Sequence, residues 1–397
     1  MNPEEVELLR DLTIVIPTYN RPLELERAIE YWRDTPITVH ILDGSLRPSF
    51  ALGKLTGIPT ITYHHFPTTE NDLLYGNYYK RLKFALTLPK TKYSALIGED
   101  DFFTISGLCE CLRILSIEKG LCSVSGLVAG FDTSSGVAIW GIRDLRSQEI
   151  KAFESRKLNQ RLKALKRMNP PVLYYGIFET ECWKNTFKFS TEPNFKTNII
   201  GGERLIHSVA ATLGPTKLIN EIYWLRRYTT TERTNFETDG LERGSYDRYL
   251  SNDSNRTEVA AYYGALGKAI IIASPSISMK KAMRLSKIVL APNLWSSQSG
   301  RKYHLRRKIA RFMVASGRIV PKNIRRSINR TLATKVTTSL GFADIPEELK
   351  PALAKQTLSD LLANLKDTGI VFDRSEIESV EKLLLKPREE LRLHANI

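Results

Sequence analysis

Three adjacent carboxylates, Glu99-Asp100-Asp101, follow the apolar run Tyr93-Ser94-Ala95-Leu96-Ile97-Gly98. Held so close they repel one another unless water or a cation lies between them. The cluster therefore suits a hard divalent ion that also grips phosphate oxygens. The alternative is that Asp100 or Asp101 caps a helix beginning near Thr104. Nearer the start, Leu12-Thr13-Ile14-Val15-Ile16 runs into Pro17-Thr18-Tyr19-Asn20-Arg21-Pro22. Such a strand-to-turn junction sets backbone donors and polar side chains at a strand's carboxyl end, where open α/β sheets bind ligands; an ordinary turn is the alternative. A further strand ends Ile41-Leu42-Asp43-Gly44-Ser45, whose Asp43 can accept from a base or ribose or simply belong to an Asp-Gly turn. Together these residues point to chemistry on a metal-bound nucleotide diphosphate.

Other residues could complete such a site. Ile199-Ile200-Gly201-Gly202-Glu203 opens a helix over 202–213. Glu203 there is either a general base, with the glycines letting an acceptor come close, or a carboxylate favoured by the helix dipole. His207, one turn on, reads as a packing or orienting residue. Arg226 and Arg227, at the end of Tyr223-Trp224-Leu225, can reach a diphosphate or lie at a solvated strand end. Tyr174, Tyr175 and Trp183 offer either a stacking platform for sugars or buried core.

The elements that must position these groups alternate. Short β-branched or aromatic strands fit 12–17, 37–42, 59–64, 93–97, 121–128, 137–142, 172–178 and 216–226, and helices fit 22–33, 72–87, 104–118, 155–167, 179–187 and 202–213. This alternation predicts an α/β domain over residues 1–228 with a mixed, mostly parallel sheet and helices on its faces. Residues 229–258 are polar and read as a mobile cover or linker. The region 259–397 reads as helical, with apolar spacing at Leu349, Leu353, Leu358, Leu361, Leu362 and Leu365, then at Ile377, Val380, Leu383 and Leu384.

The net charge of +15 is unevenly spread. Between Val259 and Ala343 there are 17 Lys or Arg and no Asp or Glu, while the remaining 41 basic and 43 acidic residues nearly balance. A block of this kind seeks an acidic partner, anionic lipid or nucleic acid. Its stretch from Arg301 to Met313 places Leu305, Ile309, Phe312 and Met313 on one stripe, as in a helix lying at a membrane interface. No apolar run approaches the ~20 residues of a spanning helix, and no secretory segment opens the chain. Four cysteines without metal or disulfide spacing suit a reducing, cytoplasmic setting.

In their order, strand plus Pro-Thr-Tyr-Asn-Arg-Pro, strand plus Leu-Asp-Gly-Ser, strand plus Glu-Asp-Asp and then Gly-Gly-Glu, these motifs resemble the family 2 glycosyltransferases of GT-A fold, over roughly residues 10 to 228. The resemblance implies a Rossmann-like sheet and inverting transfer from a nucleotide-sugar donor to a glycan or lipid-linked acceptor in surface polysaccharide assembly. It also implies Mn²⁺ or Mg²⁺ as cofactor. It sets Pro17, Thr18, Tyr19, Asn20 and Arg21 beside the nucleotide, Asp43 at the base, and Asp101 on the metal. Glu99 and Asp100 then lie near the ribose or the ion, and Glu203 is the catalytic base. Two departures stand out: Glu99 replaces the Asp that often begins the metal motif, and Arg204 stands where Asp often follows the base. The basic segment lies outside the resemblance and suggests a peripheral site on the inner face of the plasma membrane. The rival reading is a nucleic-acid-binding protein using Arg301 to Arg330 on a non-catalytic scaffold. Sparse aromatics, Trp295, Tyr303 and Phe312, argue against it.

Overall fold

The computed structural model describes residues 1–49, 53, 55–69, 76–133, 138–143, 151–167, 173–192, 195, 202–227, 253–290, 356–366 and 368–386. The polar stretch 229–252, the basic stretch 291–343 with Arg301 to Arg330, and Leu349 and Leu353 lie outside them.

Helix α1 (Pro3–Arg10) opens the chain on a capping box, in which the Asn2 side chain accepts from the Glu5 N–H and Glu5 accepts from the Asn2 N–H. The alternation of sequence elements begins only at residue 12 and places no helix there. Strand β1 (Leu12–Thr18) is buried along nearly its whole length, as a central strand covered on both faces must be. Pro22 then starts α2 (Pro22–Trp32), where its missing N–H costs nothing. Strands β2 (Thr38–Asp43) and β3 (Ile61–His65), helix α3 (Gly76–Ala85) and strand β4 (Tyr93–Leu96) complete the first half. In register, β1 pairs parallel with β2 on one side and β4 on the other, and Thr18 lies opposite Asp43.

Beyond the acidic triplet come the two-residue strand β5 (Phe102–Phe103), α4 (Ile105–Ile117), β6 (Ser123–Asp132) and β7 (Ile139–Arg143). A 3₁₀ turn at Lys151–Glu154 leads to α5 (Leu158–Arg167), β8 (Ile177–Glu179), α6 (Thr180–Thr191), α7 (Glu203–Leu213) and β9 (Thr216–Arg227). Among the described residues the sheet runs β3-β2-β1-β4-β8-β6-β9-β5, with β7 beside β6. The first four strands are parallel, β8 is antiparallel to both neighbours, and β9 runs parallel to β6. This is the mixed, mostly parallel sheet with flanking helices that the alternation predicted. The strand expected over 172–178 is shorter than its apolar run, because residues 173–176 turn and only Ile177–Glu179 pair.

Helices α8 (Arg256–Ala273) and α9 (Met279–Leu290) form a hairpin that packs on α5, α6 and α7. Arg204 ties it down, its Nη2 donating to the Leu165 and Val289 carbonyls at 3.1 and 3.0 Å. Helices α10 (Leu358–Leu365) and α11 (Arg374–Leu385) lay the predicted apolar stripe, Leu358, Leu361, Leu362, Leu365, Ile377, Val380, Leu383 and Leu384, on Phe102, Phe131, Trp140 and Ile222. These late helices share a core with the sheet. Glu376 on α11 accepts from the Ile105 and Ser106 N–H groups and from the Tyr31 hydroxyl. Donors at the start of α4, left over by helix geometry, are thus satisfied from the far end of the chain.

Candidate active site at the carboxyl ends of the strands

Thr104 settles what the triplet is not. Its Oγ1 accepts from the Gly107 N–H at 3.2 Å, and with Glu376 on the preceding N–H groups it caps α4, leaving Asp100 and Asp101 for other work. Strand β5 turns back to pair antiparallel with β9, Phe102 opposite Leu225 and Phe103 opposite Trp224. The pairing brings the end of β9 over the triplet. Asp101 Oδ1 accepts from the Arg227 N–H at 2.9 Å, and Oδ2 accepts from Trp224 Nε1 at 3.1 Å. Arg227 Nη1 pairs with Glu24 at 3.0 Å, and the Arg226 guanidinium lies over the Trp224 ring, 5.0 Å from its centroid. From the end of β1, Arg21 Nη1 reaches Asp100 Oδ2 at 2.8 Å and Glu99 Oε1 at 3.3 Å.

Glu99 and Asp101 are nearly enclosed, at 7% and 6% exposure. Burial, then the Asp100 charge, push Glu99 up to about 8 and Asp101 to about 7; Arg21 pulls Glu99 back and Arg226 pulls Asp101 back, without overcoming the rise. For Arg21 the balance is reversed. Burial opposes its charge, but Glu99, Asp100, Glu24 and Asp101 raise it above the usual guanidinium value. The triplet thus asks for more positive charge than the protein supplies. The backbone passes close beneath it: a Cβ built on Gly98 would lie 3.2 Å from Asp100 Oδ1 and 3.9 Å from Asp101 Oδ2, so glycine is what lets the two carboxylates fold back over it. Among the described residues no three His, Cys, Asp or Glu side chains gather as an all-protein metal cage. A cation that takes most of its ligands from phosphates and water needs only one or two carboxylates, and the donor set of Asp101 and Glu99 fits that pattern.

The neighbouring strand end is built differently. Asp43 is fully enclosed. Its Oδ1 accepts from the Ser45 N–H at 2.8 Å and the Ser45 hydroxyl at 2.5 Å, and its Oδ2 accepts from the Tyr63 hydroxyl at 2.5 Å. Ser45 Oγ accepts in turn from the Asn20 N–H at 2.8 Å. Asn20 has φ 54°, the left-handed region that Asn tolerates, and this bend swings the chain from Thr18 and Tyr19 toward Arg21. Beneath them Arg81 on α3, buried, donates from Nη1 to the carbonyls of Thr18 and Leu42 at 2.7 and 2.8 Å and from Nε to Asn77 Oδ1 at 2.8 Å. A Cβ on Gly44 would meet Asn77 and Arg81 atoms at 2.6 to 2.8 Å, so only glycine fits there.

The structure therefore brings Pro17, Thr18, Tyr19, Asn20, Arg21, Asp43, Glu99, Asp100, Asp101, Arg226 and Arg227 to one edge of the sheet. Glu203 opens α7 with Gly202 as its N-cap residue; the Glu203 side chain and Gly201 lie outside the described residues. His207 is buried with its ring edge-on to Tyr174. Tyr174 and Trp183 are core residues, and Tyr175 packs on Trp224 with ring centroids 4.2 Å apart. The sequence reading missed Ser45, Tyr63, Asn77, Arg81 and the indole of Trp224. Asn77 and Arg81 carried a signal, an i, i+4 spacing on an expected helix.

No protein-family model and no curated protein matches the chain. Among solved structures it is similar to the crystal structure of S. aureus TarS 1-349, with 13% identity, 72% of this chain and 73% of that one covered, and a TM-score of 0.44. It is also similar to a crystal structure of S. aureus TarS with 15% identity, 70% of this chain and 52% of that one covered, and a TM-score of 0.37. The chain thus spans about half the length of the latter. At these scores neither likeness adds to the geometry above.

Proposed function

We propose that the chain is a metal-dependent, inverting glycosyltransferase that moves a sugar from a nucleotide-sugar donor to a glycan or lipid-linked acceptor in surface polysaccharide assembly. The observation that carries this reading is the convergence on one acidic triplet of Arg21 from the turn between β1 and α2 and of Trp224 and Arg227 from β9. Charge of both signs is concentrated where an open α/β sheet presents its ligand.

In this reading the nucleoside lies along the Thr18 to Arg21 turn and the Gly44-Ser45 turn. Asp43 holds the shape of that floor through Ser45 and Tyr63. The diphosphate lies over the triplet, within reach of Arg226, and Asp101 and Glu99 are the residues that would hold Mn²⁺ or Mg²⁺. When bound, such an ion neutralises the charge that grows on the leaving diphosphate. Arg21 keeps Glu99 and Asp100 aligned, and the Trp224 and Arg227 N–H groups fix the Asp101 carboxylate. Glu203, at the opening of α7, takes the proton of the acceptor hydroxyl as that oxygen attacks the anomeric carbon on the face opposite the diphosphate. The bond to the diphosphate breaks as the new glycosidic bond forms, and the anomeric centre inverts.

A thermal-shift screen of UDP-, GDP-, dTDP- and CMP-sugars with Mn²⁺ tests the proposal. One base is expected to stabilise the protein, only when the cation is present, and the matching donor to be consumed with a saccharide acceptor. Absence of any cation-dependent shift across the panel overturns it.

A further inference from the structure

The hairpin of α8 and α9 presents a face without acids. From Val259 to Leu290 the chain holds Lys268, Lys280, Lys281, Arg284 and Lys287 and no Asp or Glu. On α9 the buried residues Ala282, Ser286 and Val289 recur at i, i+4 and i+7, which turns one side of the helix to the core. Lys280, Arg284 and Lys287 repeat the same spacing on the opposite side, and with Lys281 all four are exposed. Helix α5, packed beside α9, has no acid between Leu158 and Arg167 either. Lys268 differs, since it pairs with Glu192 at 3.2 Å.

A cationic helix face by itself is satisfied by water. Here the turn between the helices adds something water does not favour: Ile272 is 55% exposed and Met279 50% exposed, on either side of the exposed Pro275 and Ser276. Phosphates of a nucleic acid match the cations and leave the two aliphatic chains unexplained. An anionic bilayer matches both, because its headgroups take the ammonium and guanidinium groups while its interface takes the apolar tip. We infer that the α8–α9 hairpin is a docking surface for an anionic lipid bilayer, with Lys280, Lys281, Arg284 and Lys287 over lipid phosphates and Ile272 and Met279 entering the headgroup layer. The inference deepens the proposed use of a lipid-linked acceptor, but lipid binding is measured without turnover, so each can fail alone.

Sedimentation of the full chain with vesicles of phosphatidylcholine, alone or mixed with phosphatidylglycerol, provides the test. The wild type is expected to sediment with the anionic vesicles and to be released by salt. The quadruple change Lys280→Glu, Lys281→Glu, Arg284→Glu and Lys287→Glu is expected to weaken binding about 100-fold or more. Since four reversals can disturb α9, the milder pair Lys280→Gln and Lys281→Gln, with an intermediate loss expected, guards against a folding artefact. Ile272→Ser with Met279→Ser is expected to weaken binding about tenfold with every charge in place, and none of these variants is expected to change Mn²⁺-dependent nucleotide binding. Undiminished sedimentation of the quadruple variant overturns the inference. So does a serine double variant that binds vesicles normally while duplex DNA displaces the wild type from them, because the face would then be a polyanion site.

Discussion

The carboxyl ends of β2 and β4 belong to one sheet and both carry buried carboxylates, yet their electrostatics are opposed. At β2 the two oxygens of Asp43 take three donors from Ser45 and Tyr63. That end is a closed network in which the charge is spent on holding two turns together. At β4 Glu99 and Asp100 share the guanidinium of Arg21, while the N–H groups of Trp224 and Arg227 serve Asp101. Burial, then the Asp100 charge, drives Glu99 and Asp101 toward their neutral forms. A saturated carboxylate is a structural part; the less compensated cluster at the same sheet edge is where we propose that the cation binds.

The contrast is broken most directly at Asp101. Asp101→Asn is expected to leave the far-ultraviolet circular dichroism unchanged and to lower Mn²⁺-dependent UDP or GDP affinity about 100-fold or more, the scale of the several kcal/mol a metal contributes. Calorimetry showing wild-type affinity would remove Asp101 from the cation site. The proposed division of labour with α7 is tested next. Glu203→Gln is expected to keep donor binding while turnover falls by about 100-fold, the lower range for a general base. Near-normal turnover would exclude Glu203 as the base.

How far these features were legible depends on their range. The ends of β1, β2 and β4 announce themselves because an apolar run followed by Pro-Thr-Tyr-Asn, Asp-Gly-Ser or Glu-Asp-Asp is a local signal, and the helix caps and Pro22 confirm it. Strand β5 is two residues long and exists only because β9 is there to pair with it; no window of sequence contains that partner. The same is true of Arg81, whose value lies in the carbonyls of Thr18 and Leu42 far away in sequence. The apolar stripe of 358–384 was visible as a period, which fixes a buried face and not what covers it. Only the fold reveals that Glu376 caps α4. By contrast α1 was legible and passed over, since Asn2 followed by Glu5 is a capping box in plain sequence.

A smaller effect is expected at β2, and it sharpens the comparison. Asp43→Asn turns an amide donor toward the hydroxyl or N–H donors of Ser45 and Tyr63. Leaving such buried donors facing one another costs about 1–3 kcal/mol, read as a lower midpoint in urea unfolding. Cation affinity is expected to stay close to wild type, because the network of Asp43 contains no group of the triplet. Equal losses of cation affinity in Asp43→Asn and Asp101→Asn would show that the two strand ends act as one site.

The two ends are also separated by the sign of the pH dependence of stability without a cation. Glu99, at about 8, and Asp101, at about 7, hold protons in the folded protein that their usual carboxyl groups release far lower. Between pH 5 and these values the folded state therefore binds more protons than the unfolded chain, and stability falls as pH rises, levelling above about 8. A thermal midpoint scan should show this decline, and Glu99→Gln should flatten the part that belongs to Glu99. Mn²⁺ with nucleoside diphosphate should flatten it too, since a bound cation favours the ionised carboxylates. A midpoint that rises steadily from pH 5 to 8 would mean that the triplet is already compensated inside the protein, and the distinction between the ends of β2 and β4 would vanish.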